Sequence, residues 1–256
     1  MERFLPERIN EILGEQNGAV DAIGKSDSEI VLFHDVVLKI EKRCEESDNE
    51  HSMLRWLQGR LPVPKVIASE TLNGFNYLLM SRVGGVMVCD ESFLKCSQAL
   101  IRLLAEGLKM MWAVDISHCP YRNDLENKFR LAKYRIENNL CDADDAEPEV
   151  FAENGFKGPE DLLTWLIANR PDEQYVFSHG DYCLPNIIVN NGSISGFVDL
   201  GRAGIADKWQ DIALCVRSIE HNLGANCAYV EQLFKELDME PNFEKIRYYI
   251  LLDELF

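Results

Sequence analysis

Alternation of apolar and polar positions marks the first third of the chain. Glu29-Ile30-Val31-Leu32-Phe33 and Val36-Val37-Leu38-Lys39-Ile40 flank His34-Asp35, a spacing that predicts two strands joined by a tight hairpin turn. Tyr77-Leu78-Leu79-Met80 predicts a further strand before Gly84-Gly85. Between these runs the period lengthens. Met53, Leu54, Trp56 and Leu57 form an apolar stripe at helical spacing, predicting a helix over 50–61 that stops at Leu61-Pro62-Val63-Pro64. From about Cys89 the pattern is mostly helical, over 94–114, 125–138, 159–168 and a block spanning 207–256, with short strands at 187–189 and 197–198. The expected class is α+β: a small strand-rich part, residues 1–88, then a larger helical part, residues 89–256.

Composition narrows the partners. A chain of 256 residues can bury a substantial core as one large domain or two lobes. With 43 acidic against 26 basic residues the net charge is −17, which argues against a nucleic-acid backbone or an anionic membrane and would attract a polycation. Solubility alone also accounts for such acidity. Residues 1–89 carry 14 acids and 10 bases, whereas 90–256 carry 29 and 16, so the excess lies in the helical part. The eight cysteines form no Cys-x-x-Cys pair and the five histidines are scattered, a poor pattern for structural zinc. The N-terminus has no long apolar run and no window approaches eighteen apolar residues, so a reducing cytoplasm is the expected location.

The chemistry concentrates in Ser178-His-Gly-Asp-Tyr-Cys-Leu-Pro-Asn-Ile-Ile-Val-Asn-Asn-Gly-Ser-Ile-Ser-Gly-Phe-Val-Asp199. Asp181, Asn186 and Asp199 have the order of a kinase catalytic loop followed by its metal aspartate. Asp181 is expected to orient a hydroxyl and accept its proton late. Asn186 and Asp199 offer oxygens to Mg²⁺, a hard cation that binds a few protein oxygens and then relies on substrate phosphates.

The flanks sharpen this. His179-Gly180-Asp181-Tyr182-Cys183-Leu184-Pro185-Asn186, then Gly196-Phe197-Val198-Asp199-Leu200-Gly201-Arg202, then Ala206-Asp207-Lys208-Trp209-Gln210-Asp211-Ile212-Ala213 closely resemble the aminoglycoside 3'-phosphotransferases, and the likeness spans nearly the whole chain. The resemblance implies a protein-kinase-like bilobal fold with a β-rich, nucleotide-binding N-lobe and a helical C-lobe that carries the catalytic loop and the aminoglycoside site. It also implies ATP and Mg²⁺ as cofactors, a small cationic aminoglycoside of the kanamycin or neomycin type as acceptor, and transfer of the γ-phosphate to the 3'-hydroxyl.

Lys39 alternates with Leu38 and Ile40, so it should point away from the apolar face and grip the α- and β-phosphates. Its expected partner is Glu50, placed in the first turn of the following helix; against this, Ser47-Asp48-Asn49-Glu50 also reads as a capping box that would employ Glu50 at the helix start. Gly24-Lys25-Ser26-Asp27-Ser28 reads as an ordinary polar turn, and the resemblance implies that Ser26 and its neighbours fold over the β- and γ-phosphates. His179 is expected to pack and hydrogen-bond the loop, and Asp211 to be a buried acid holding it. Arg202 could bridge to a carboxylate or approach phosphate.

Two acidic segments complete the reading. Residues 141–153 carry six acids and no base, expected either as solvated loop or as a lid over the acceptor. At the C-terminus, Asp253, Glu254 and the α-carboxylate of Phe256 place three negative groups within four positions, and the resemblance implies that this end contacts the antibiotic. The alternative is a related small-alcohol kinase, acting on choline or a macrolide sugar; choline would call for an aromatic cage rather than separated acids. A monomer is preferred.

Overall fold

The computed structural model of the protein describes residues 5–16, 18–21, 28–141, 147, 150–152, 155–224 and 227–256. Two packing units emerge: residues to Met87 with Pro185–Ala203, and Val88–Leu184 with Gly204–Phe256. The first is not the contiguous 1–88 expected from sequence, because 185–203 packs with it.

In the first unit the helix α1 (Glu7–Leu13) precedes a five-stranded antiparallel sheet of β1 (Ala19–Asp21), β2 (Glu29–Leu32), β3 (Val36–Lys42), β4 (Val66–Leu72) and β5 (Phe75–Ser81), in the order β1-β2-β3-β5-β4. The His34-Asp35 turn is confirmed: Phe33 N–H donates to Val36 O at 2.9 Å, closing a two-residue hairpin. Strand alternation then sorts the faces. Leu38, Ile40 and Leu79 point into a core closed by Ile9 and Leu13 of α1, which leaves Lys39 on the opposite face. A smaller sheet joins β6 (Val86–Met87) to the hairpin of β8 (Ile187–Asn190) and β9 (Ser193–Phe197).

The helix α2 spans Glu45–Leu57 rather than 50–61. Its N-cap is Cys44, whose N–H donates to the Ser47 hydroxyl at 2.9 Å, and Glu45, Glu46 and Asp48 occupy the first turn, where the helix dipole favours acids. Glu50 therefore sits in the second turn. The Ser47–Glu50 capping box is not formed, and Glu50 is left for another partner.

The second unit is helical: α3 (Glu91–Leu94), α4 (Ser97–Trp112), α5 (Leu125–Glu137), α6 (Pro159–Ala168), α7 (Lys208–Leu223), α8 (Cys227–Leu237) and α9 (Phe243–Asp253). The helix expected over 94–114 is two helices, interrupted at Lys95-Cys96. Leu100, Leu104, Leu108 and Met111 of α4 recur every three or four residues and are fully buried. The antiparallel pair β7 (Tyr175–Ser178) and β10 (Gly204–Asp207) lies within this unit. The catalytic-loop sequence begins where β7 ends. Among the described residues, no helix is long and apolar enough to cross a membrane.

Candidate active site

Lys39 is the hub of the first unit's polar face. Its ammonium nitrogen stands 2.7 Å from Glu50 Oε2 and 2.9 Å from Asp199 Oδ1, with the Lys39 side chain only 9% exposed. Burial by itself would lower the lysine's pKa; the carboxylates of Glu50, Asp199 and Glu41 outweigh it and hold it well above the ordinary value. Lys39 therefore stays a cation. Glu50 also accepts the Leu200 N–H at 3.1 Å, and Asn49 donates to the carbonyls of Gly201 and Ala203 at 2.9 and 2.8 Å. Helix α2 thereby fastens the turn that presents Asp199.

That turn has an unusual backbone. Asp199 adopts φ of 59°, a left-handed conformation that costs a non-glycine residue about 1–2 kcal/mol. The Val198 N–H donates to Asn186 O at 3.0 Å, which ties the segment before Asp199 to Asn186. Both residues line one cavity of about 310 Å³, together with Lys39 and the apolar side chains of Ile30, Val37, Met80 and Ile188. Such walls suit a ligand with a flat apolar body and a polyanionic tail. Asp199 and Asn186 supply carboxylate and amide oxygens, the hard donors that Mg²⁺ takes, so the donor set fits that cation. Ser26 lies outside the described residues.

In the second unit, Asp181 is half-buried on a loop whose shape is fixed by other residues. Gly180 has φ of 83°, accessible to glycine at little cost, and this turns the chain between His179 and Asp181. Asp211, wholly buried in α7, accepts hydrogen bonds from Ser178 Oγ (2.9 Å), His179 N–H (2.8 Å) and Gly180 N–H (3.0 Å). Burial pushes its carboxyl upward, opposed by the His179 ring and these donors. Beyond Asp181, buried Tyr182 donates its hydroxyl to Leu104 O at 2.8 Å, and Leu184 N–H donates to Ser218 Oγ at 3.0 Å. Buried His179 packs edge-on to Tyr182.

Because three donors converge on Asp211, Asp211→Ala would strand them in the interior. Chemical denaturation is expected to show a loss of about 3–5 kcal/mol, with turnover falling as Asp181 loses its support. A loss below about 1 kcal/mol would contradict this role.

The C-terminal end is packed, not frayed. Asp253 and Glu254 are 11% and 5% exposed, and Arg217 of α7 pairs with both. Glu254 also accepts the Glu147 N–H at 3.0 Å; burial raises its carboxyl, while that N–H and Arg217 draw it back. Leu255 is fully buried with its carbonyl accepting from Arg135 Nε at 2.8 Å, and the Lys128 ammonium lies 4.5 Å from the Phe256 ring centre. Sequence reading missed Arg217, because nothing local links it to a tail 36 residues away. Of the acidic stretch 141–153, Asp142, Asp144, Asp145, Glu149 and Glu153 lie outside the described residues, so the expected lid does too.

Known proteins are similar to this chain in sequence and in fold. Residues 24–247 match the phosphotransferase enzyme family. An aminoglycoside 3'-phosphotransferase of Enterococcus faecalis is 45% identical over 211 residues, covering 82% of this chain and 78% of that protein. Another, of Niallia circulans, is 38% identical over 264 residues, covering 99% of this chain and 98% of its own. Among solved structures, the aminoglycoside phosphotransferase APH(3'')-Id of Streptomyces rimosus superposes with a TM-score of 0.84 at 21% identity, over 96% of this chain and 95% of that one, a likeness of fold.

Proposed function

The chain belongs to the phosphotransferase enzyme family and, within it, to the aminoglycoside 3'-phosphotransferases, and from that membership we propose how its residues share the reaction. It is an ATP-dependent kinase acting on aminoglycosides, with the bilobal α+β fold of those enzymes, and its activity confers antibiotic resistance. A choline or macrolide kinase is not favoured, because relatives matching along nearly the whole chain are aminoglycoside enzymes.

The acceptor is a kanamycin- or neomycin-type drug. Asp181 orients its 3'-hydroxyl. The hydroxyl oxygen bonds to the γ-phosphorus, the bond from that phosphorus to the β–γ bridging oxygen breaks, and ADP leaves; Asp181 takes the hydroxyl proton late, as suits a weak base and a loose transition state. Lys39, held by Glu50, grips the α- and β-phosphates, and the Ser26 segment folds over the β- and γ-phosphates. Asn186 and Asp199 would hold Mg²⁺, which neutralises phosphate charge. Asp253 and Glu254, with Phe256 beside them, receive the drug's ammonium groups. On this assignment residues 1–88, with 185–203, are the nucleotide-binding lobe, and the remainder of 89–256 bears the acceptor. Eight cysteines with no Cys-x-x-Cys pair and the need for ATP suit a reducing cytoplasm, and a monomer is the state we propose.

The observation carrying this reading is Lys39, bound to Glu50 and Asp199 on the wall of a cavity that Asn186 shares. Lys39→Ala is expected to raise the KM for ATP by roughly tenfold or more, the worth of a charge-assisted contact, while changing the KM for kanamycin little. Unchanged nucleotide kinetics would refute the assignment. Asp199→Ala should in addition shift the Mg²⁺ titration to higher concentrations.

A further inference from the structure

Asp199, at φ of 59°, holds a conformation that a non-glycine residue keeps only where its surroundings over-determine it. Two adjacent residues of α2 supply that constraint. Glu50 accepts the Leu200 N–H at 3.1 Å, and Asn49 spends both hydrogens of its amide on the same turn, donating to Gly201 O at 2.9 Å and to Ala203 O at 2.8 Å. Because both acceptors are carbonyls, the amide nitrogen is the atom that faces them. Gly201 and Ala203 are buried, so loss of Asn49 would leave two main-chain oxygens without this donor away from water. Gly201 also rests directly on the helix, where a Cβ would lie 3.1 Å from the Glu46 carbonyl oxygen.

The two residues differ in duty. Glu50 also binds Lys39 and lines the cavity, whereas Asn49, 6% exposed, bonds to the turn and stands behind the cavity wall. We infer that Asn49 is a positioning residue for phosphoryl transfer: through the carbonyls of Gly201 and Ala203 it fixes the turn after β9 that presents Asp199, and so sets how tightly the site takes a divalent cation with its nucleotide. The inference rests on the reading that Asp199 is a ligand of Mg²⁺.

Mg²⁺ demands near-ideal octahedral geometry, so a carboxylate free to drift binds it less well although its charge is unchanged. Groups that hold a metal ligand in place by hydrogen bonds typically contribute about 10- to 100-fold to metal affinity. Asn49 acts one step further back, on the main chain of the turn, which puts its expected effect at the lower end, about tenfold. The Lys39 ammonium is fixed separately, by Glu50 at 2.7 Å, and its grip on phosphate should survive. The loss therefore falls on the metal-dependent part of nucleotide affinity.

Isothermal titration of the full-length enzyme with ADP, in EDTA and again in excess Mg²⁺, reads the two parts separately. Asn49→Ala is expected to keep ADP affinity in EDTA within about threefold of wild type and to lose about tenfold in Mg²⁺. In the enzyme free of nucleotide and metal, amide hydrogen exchange should quicken over residues 198–203 and hold its wild-type rate in β3 and in the loop 179–184. Gly201→Ala leaves Asn49 in place and presses the turn away from Glu46, so it should show the same metal-dependent loss and carries the test if Asn49→Ala does not fold. Equal losses with and without Mg²⁺, no loss in either, or exchange quickened throughout the protein would overturn the role. Asp199→Ala separates this inference from the reading beneath it. If that variant loses the gain from Mg²⁺ while the Asn49 and Gly201 variants keep it, the role of Asn49 alone fails; if all three keep it, Asp199 is not the ligand and the inference falls with that reading.

Discussion

Asp181→Ala is expected to lower kcat about 10²- to 10⁴-fold, the usual worth of a positioned general base, while leaving the KM for ATP within about twofold. The loop should survive the change. Its shape rests on the left-handed Gly180, on the three donors that Asp211 accepts, and on Tyr182 bonded to Leu104. Thermal unfolding should therefore stay near the wild-type midpoint, which separates lost chemistry from lost structure. Steady-state kinetics with kanamycin decide the matter: retention of more than about a tenth of wild-type kcat would mean that another group aligns the hydroxyl. Gly180→Ala makes a useful contrast. A side chain at φ of 83° is strained, so this variant should lose both stability and turnover.

Removal of the terminal carboxylates should act on the other substrate. Deleting residues 253–256 is expected to raise the KM for aminoglycoside steeply with ATP binding nearly intact. The structure adds a complication, because the deletion also removes fully buried Leu255 and strips Arg217 of Asp253 and Glu254. Asp253→Asn and Glu254→Gln keep the packing and delete one charge each. At about 1.5–3 kcal/mol for a charge-assisted hydrogen bond in a largely buried setting, each should raise the aminoglycoside KM roughly 10- to 100-fold. Arg217 already pairs with both acids, so a drug ammonium bound there, as proposed, would share them with a guanidinium. Unchanged acceptor kinetics in both point variants would leave the tail a structural element alone.

The strand pair around His34-Asp35 and the direction of Lys39 were legible in sequence because alternation is a local property that the sheet preserves. The helix carrying Glu50 was legible as a helix but not in its start. Three acids in Glu45-Glu46-Ser47-Asp48 favour an earlier N-terminus than the apolar stripe marks, and Ser47, which looked like the cap, folds back on Cys44 instead. The strand β4 was missed because its alternation is weak, with Ser69, Glu70 and Thr71 in succession, and α1 because only Ile9 and Leu13 mark its buried face. Asp199 was singled out as a candidate from motif order; its left-handed backbone was not legible, since aspartate gives no such signal as glycine does. Arg217 and Glu41 became visible only when the fold set charges from distant segments, or from one strand face, around a shared partner.

The central claim is transfer of the ATP γ-phosphate to the aminoglycoside 3'-hydroxyl, and the most direct test is to map the phosphate in the product by phosphorus and proton NMR after turnover with kanamycin, beside the same assay with a 3'-deoxy aminoglycoside. The expected result is one phosphate on the 3'-oxygen of kanamycin, and a 3'-deoxy drug that inhibits by binding yet consumes no ATP beyond background. Efficient phosphorylation of the 3'-deoxy drug, or ATP consumption with choline or a macrolide but with no aminoglycoside, would contradict it.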